Sequence, residues 1–86
     1  MKITEIQITP IKPKDGLVAF ASVMLENSLY LGSIGIYTRL NGFGYRITYP
    51  TKKVGNKDIN IFHPTNKEIG KMIEDAIIAR ADEILG

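Results

Sequence analysis

The stretch Leu17-Val18-Ala19-Phe20-Ala21-Ser22-Val23-Met24-Leu25 constrains the fold more than any other part of the chain. At a period of two residues it sets Leu17, Ala19, Ala21, Val23 and Leu25 on one side of a strand and Val18, Phe20 and Met24 on the other. A strand that is apolar on both sides must be covered on both sides. One side finds its cover at the other end of the sequence, where the hydrophobic period lengthens. At about 100° per residue, Ile69, Met72, Ile73, Ala76, Ile77 and Ile84 fall on one stripe of a helix, with Lys67, Lys71, Glu74, Asp75 and Asp82 outside it. Thr65-Asn66-Lys67-Glu68 fits a capping box with Thr65 as the N-cap. Arg80 lies inside the stripe and is expected to snorkel outward, or else to pair with a carboxylate across a subunit interface.

Between the chain start and this helix the signals are those of strands and turns. Lys2 to Ile11 alternates, with Thr4, Ile6 and Ile8 opposite Glu5, Gln7 and Thr9. Lys12-Pro13-Lys14-Asp15-Gly16 reads as a loop, since proline suits the end or edge of a ladder. Glu26-Asn27 is a tight turn into Ser28–Thr38, whose apolar parity shifts across Gly32 and so predicts a β-bulge. Leu40-Asn41-Gly42-Phe43 carries an Asn-Gly turn signal leading into Gly44–Tyr49. Thr51 to Lys57 reads as a polar loop, and Asp58 to Phe62 as a short fifth strand. The expected fold is α+β: a small, mainly antiparallel β-sheet of four to five strands followed by one C-terminal α-helix. The length of 86 residues fits a single domain, 1–86, with the sheet over about 2–62 and the helix over about 66–85. A single helix leaves the second side of Leu17–Leu25 open, which predicts a homodimer; a loop folded over that side is the alternative.

The chemistry available is narrow. Cysteine is absent, which removes thiolate nucleophiles, disulfides and cysteine-based zinc sites. His63 is the only histidine, and beside Pro64 it reads as a lead-in to the helix rather than a general base. Glu74 and Asp75 are adjacent on the helix and diverge by about 100°, a poor geometry for a shared site. The glycines form no phosphate-cradling loop, because no Gly-rich turn opens the helix. No catalytic site, metal, cofactor or small-molecule substrate is therefore expected. Apolar runs fall short of the roughly 20 residues that span a bilayer, and Met1-Lys2-Ile3-Thr4-Glu5-Ile6 lacks a signal-peptide core, so a cytoplasmic protein without a membrane partner is expected.

Net charge is +2, but its distribution is uneven. Up to Lys57 the eight cations are Lys2, Lys12, Lys14, Arg39, Arg46, Lys52, Lys53 and Lys57, against the acids Glu5, Asp15 and Glu26. From Asp58 onward, Lys67, Lys71 and Arg80 face Asp58, Glu68, Glu74, Asp75, Asp82 and Glu83. The sheet half is thus basic and the helix half acidic, a pattern compatible with a polyanion on the sheet side or with an uneven solvated surface. The densest basic segment is Tyr49-Pro50-Thr51-Lys52-Lys53-Val54-Gly55-Asn56-Lys57. Lysines there, with Arg46 and the tyrosines upstream, would supply phosphate contacts beside rings on which bases stack; the alternative is an ordinary lysine-rich loop over a tyrosine-containing core.

Tyr49-Pro50-Thr51-Lys52-Lys53, Asp58-Ile59, His63-Pro64-Thr65-Asn66 and Ile73-Glu74-Asp75-Ala76-Ile77 resemble, in order and spacing, the stage V sporulation protein G family of bacterial septation regulators. Ile3-Thr4-Glu5-Ile6 and Ala19-Phe20-Ala21-Ser22-Val23 are similar too, so the resemblance covers nearly the whole chain. It implies a small antiparallel sheet with a C-terminal helix, a dimer, site-preferring DNA binding with RNA binding in some members, and a cytoplasmic regulator. The family's Pro-Ser-Lys-Arg stretch matches Pro50, Thr51, Lys52 and Lys53. Two departures bear on affinity and sequence preference. The family's Arg-Gly-Lys helix opening is Gly70-Lys71-Met72 in this chain, and Gly35 stands where the family often has a basic residue. The expected nucleic-acid-binding residues are Arg46, Thr51, Lys52, Lys53, Lys57 and Lys71. The alternative function is a protein-interaction or assembly module working through a sheet edge or apolar face.

Overall fold

The computed structural model describes residues 2–40 and 42–86. Four strands, β1 (Ile3–Lys14), β2 (Leu17–Leu25), β3 (Leu29–Thr38) and β4 (Tyr45–Thr48), form an antiparallel sheet in the order β1-β2-β3-β4. Strands β5 (Thr51–Val54) and β6 (Lys57–Asn60) form a separate two-stranded sheet, and helix α1 (Lys67–Leu85) completes the fold. The expected α+β class and C-terminal helix hold, but there are six described strands in two sheets where four to five in one sheet were expected. No described helix is long and apolar enough to cross a membrane.

The first connection is tighter than expected. Strand β1 runs on through Pro10 and Pro13 to Lys14, and Asp15 and Gly16 alone make the turn, at φ 52° and 89°. Both values are left-handed, as in the Asp-Gly turns that match the twist of a hairpin. The prolines are tolerated because β1 is an edge strand with one side of its backbone free of ladder bonds. Glu26 and Asn27 turn β2 into β3, also with positive φ, 52° and 54°, and the Ser28 amide donates to the Leu25 carbonyl at 2.9 Å. The predicted bulge lies where Gly32 and Ser33 together oppose Ser22, between the pairs Ala21–Ile34 and Val23–Leu31. Ser33, not Gly32, takes the left-handed conformation, at φ 61°. The Asn-Gly turn into β4 involves Asn41, which lies outside the described residues; around it Arg39 and Gly44 close the connection through an N–H···O bond of 3.2 Å.

The core lies between α1 and one face of the sheet. Ala19, Ala21, Val23 and Leu25 of β2, Ile34 and Ile36 of β3, and Ile73, Ile77 and Ala81 of α1 are all buried. The helix backbone comes nearest to the outer strands β1 and β4, as expected when a twisted sheet cups a helix. Its contact line is the row Ile69, Ile73, Ile77, Ala81 and Leu85, spaced four residues apart. This corrects the sequence-derived stripe at its far end. A four-residue row winds about 40° per step around the axis, so Ala81 and Leu85 replace Ile84, which is 44% exposed. Arg80 is rotated out with it and pairs with Glu83 at 2.9 Å on its own helix, so neither snorkelling from the core face nor a cross-subunit partner is needed.

The helix cap also moves by one residue. Asn66, at φ −107° and ψ 126°, is the N-cap, and its side-chain oxygen accepts from the amides of Glu68 at 2.8 Å and Ile69 at 3.3 Å. Asparagine caps at least as well as threonine, and capping from 66 leaves Thr65 in the lead-in. Asn66→Ala should accordingly cost about 1 kcal/mol, and Thr65→Ala a few tenths at most, in urea denaturation. The reverse order would return the cap to Thr65.

Candidate nucleic-acid interface

Pro50 lacks an amide to donate and ends β4, so the chain leaves the four-stranded sheet there. The segment beyond it is a hairpin rather than the expected loop, with Asp58–Asn60 as part of its second strand. Thr51 pairs with Asn60, Lys52 with Ile59, Lys53 with Asp58 and Val54 with Lys57. Gly55, at φ 63°, opens the two-residue turn, the position at which a type II′ turn requires glycine. The Ile61 amide donates to the Pro50 carbonyl at 2.8 Å, and below it Tyr49 and Phe62 meet edge to face, 5.9 Å apart at 71°. The hairpin is thus tied at its base, while every residue from 51 to 60 is exposed.

Pairing register divides these side chains between two faces. Thr51, Lys53, Asp58 and Asn60 share one, wholly polar. Lys52, Val54, Lys57 and Ile59 share the other, with Val54 and Ile59 53% and 49% exposed. All three expected lysines therefore stand on one projecting element, with Asp58 as its single acid.

The other expected residues lie elsewhere. Arg46 pairs with Tyr37 across β3 and β4 and stacks on its ring, the guanidinium carbon 4.6 Å from the centroid. Both point away from the helix, since Tyr45, Ile47 and Tyr49 occupy the core-facing positions of that segment. Lys71 sits on α1 and bridges Asp75 at 3.5 Å, with both side chains largely exposed. Gly35 has a steric reason. A Cβ there would stand 2.9 Å from Thr48 Oγ1 and 3.1 Å from the Tyr37 ring, so a basic residue would have to displace that packing.

The Tyr49 phenol is partly buried against the helix and has Glu74 nearby. Burial pushes its phenol above the ordinary 10.0, and the Glu74 carboxylate adds to the effect. Since the neutral phenol is the form favoured by folding, its contribution is complete below pH 10.0 and is lost as pH rises through the folded-state value. In an ultraviolet absorbance titration Tyr49→Phe should remove phenolate absorbance that develops above pH 10.0; loss confined to absorbance developing below it would contradict this. Beside the hairpin base, Leu25, Leu29, Leu31, Phe62, Ile69 and Ile73 line much of an open apolar cavity of about 270 Å³. Asp58 and Asn60, which complete the polar face beside Thr51 and Lys53, were not among the expected site residues. The signal for them was the Gly55-Asn56 turn.

The SpoVG family model matches residues 1–83. The chain belongs to the SpoVG family. A Clostridioides difficile relative, named septation protein SpoVG, is 28% identical over 99% of this chain and 91% of its own length. Relatives of the same name from Alkaliphilus metalliredigens and Bdellovibrio bacteriovorus are 31% and 32% identical, covering 92% and 90% of this chain and 80% and 69% of theirs. The identification agrees with the resemblance carried by the Pro50–Lys53 and His63–Asn66 segments, and it sets the chain beside relatives named septation proteins.

Proposed function

We propose that this SpoVG-family chain is a non-enzymatic, cytoplasmic regulator that binds nucleic acid through the β5–β6 hairpin. The observation that carries the reading is the placement of Lys52, Lys53 and Lys57 on one exposed ribbon with a single acid. Phosphate contacts need long cations that reach outward without unburying anything else, and this element offers them. Fluorescence anisotropy with labelled duplex DNA, single-stranded DNA and RNA tests it. Binding to at least one probe that weakens as salt rises is expected; salt-independent binding, or none at all, overturns it.

The active unit is proposed to be a homodimer. Phe20 on the open side of β2 remains 39% exposed, and every residue of β5 and β6 is exposed, so the hairpin does not serve as that side's cover. Light scattering at tens of micromolar should give twice the chain mass, and a monomer would contradict the assignment. A second reading, an assembly module, is favoured by Val54, Ile59 and Ile61, the last 64% exposed on the same hairpin face. It predicts that the charge-neutral Ile59→Ala weakens partner capture while leaving nucleic-acid affinity intact.

A further inference from the structure

We infer that the β5–β6 hairpin enters the major groove of duplex DNA and reads base edges with Thr51, Lys53, Asp58 and Asn60. This rests on the nucleic-acid reading above and specifies its ligand and its contacts. The major groove, about 12 Å wide, admits a two-stranded ribbon, whose strands lie only about 4.8 Å apart. All residues from 51 to 60 are exposed, so the ribbon is not covered by the rest of the described fold.

Orientation is set by the two faces. A groove floor is lined with hydrogen-bond donors and acceptors, and laying Val54 and Ile59 on it would leave them unpaired at a cost. The polar face therefore turns inward. Lys52 and Lys57, on the outward face, have stems long enough to bend toward the phosphate ridges on either side.

Register then sets a code. Lys53 and Asp58 are direct cross-strand partners and so straddle the groove together. Lysine donates to guanine O6 and N7, and a carboxylate accepts from cytosine N4, so the pair complements one G·C base pair. Thr51 and Asn60 form the adjacent pair on this face. Asparagine matches adenine N6 and N7, and a threonine methyl meets the thymine methyl, which complements A·T. Alternate residues on a strand are about 6.8 Å apart, equal to two base-pair steps of about 3.4 Å. The preferred duplex thus holds a G·C and an A·T pair separated by one unread step.

The test begins with selection from a randomised duplex pool by the intact chain. The expected enrichment is that two-pair pattern, and methyl green, which occupies the major groove, should displace the protein where netropsin, a minor-groove ligand, does not. Asn60→Ala should weaken binding to the selected duplex about ten- to a hundredfold and leave binding to unselected duplex unchanged. Lys52→Ala should weaken both alike. Circular dichroism of each variant confirms that the fold is retained. Displacement by netropsin alone, or an Asn60→Ala loss equal on selected and random duplex, overturns the inference. Binding to RNA or single strands without duplex binding overturns it while leaving the broader reading intact, and failure to bind any nucleic acid removes both.

Discussion

Ile77→Ala should destabilise the chain by about 2 to 5 kcal/mol in urea denaturation, with Ile73→Ala close behind. Both side chains are essentially inaccessible, 0% and 1% exposed, and lie on the helix row that seals the sheet. Shortening either leaves a cavity that a helix held by its neighbours in that row cannot collapse to fill. Against a typical total of about 5 to 15 kcal/mol, such a loss is a large fraction. Ile84→Ala is the control. On the idealised stripe it would cost nearly as much, but with Ile84 44% exposed the change should stay within about 0.5 kcal/mol. Equal losses at 77 and 84 would mean that the helix is rotated about its axis from this arrangement.

Replacing Lys52 and Lys53 together by alanine should produce the largest change in binding. Each lysine withdrawn from the polyanion, whether its ammonium meets a phosphate or a guanine edge, takes about one condensed counterion out of the balance. The slope of log affinity against log salt should therefore flatten by about 0.9 per lysine on duplex DNA, or about 0.7 on a single strand. A symmetric dimer engaging both hairpins gives up four such lysines and flattens by about 3.6 on duplex. Thermal stability should hardly change, because both side chains are exposed and belong to neither of the ion pairs seen among the described residues. Weaker binding with an unaltered slope would take these lysines off the nucleic acid and assign them to fold or partner contacts.

The strands that were legible in the sequence are those whose side chains meet a core. Leu17–Leu25 is bounded as its composition dictates, and Ile6 and Ile8 pack on the core opposite Glu5, Gln7 and Thr9 because burial imposes the period of two; Ile3 joins them in place of the expected Thr4, since a register shift between Ile3 and Glu5 interrupts the alternation. The β5–β6 hairpin escaped because neither face is buried. Lys52, Val54, Lys57 and Ile59 mix charge and apolar character on one side, so alternation carries no signal there, and only the Gly55-Asn56 turn marks the element. Thr65 and Asn66 are both competent caps, and the choice between them depends on where the chain leaves Pro64, a tertiary matter. Arg80 and Ile84 were misplaced for a geometric reason: a helix on a twisted sheet follows a four-residue row rather than a line parallel to its axis. Of the six expected binding residues, Thr51, Lys52, Lys53 and Lys57 share the hairpin, whereas Arg46 and Lys71 are engaged with Tyr37 and Asp75.

The central claim is that nucleic acid is bound by the hairpin, and amide chemical-shift mapping addresses it directly. On titration with a short duplex in moderate salt, the largest perturbations should fall on the amides of residues 51 to 60, with smaller ones at the hairpin base around Tyr49 and Phe62. The acidic outer side of α1, with Glu74, Asp75 and Asp82, should be unmoved. Perturbations confined to the open sheet face around Phe20, Tyr37 and Arg46, with residues 51 to 60 silent, would contradict the claim.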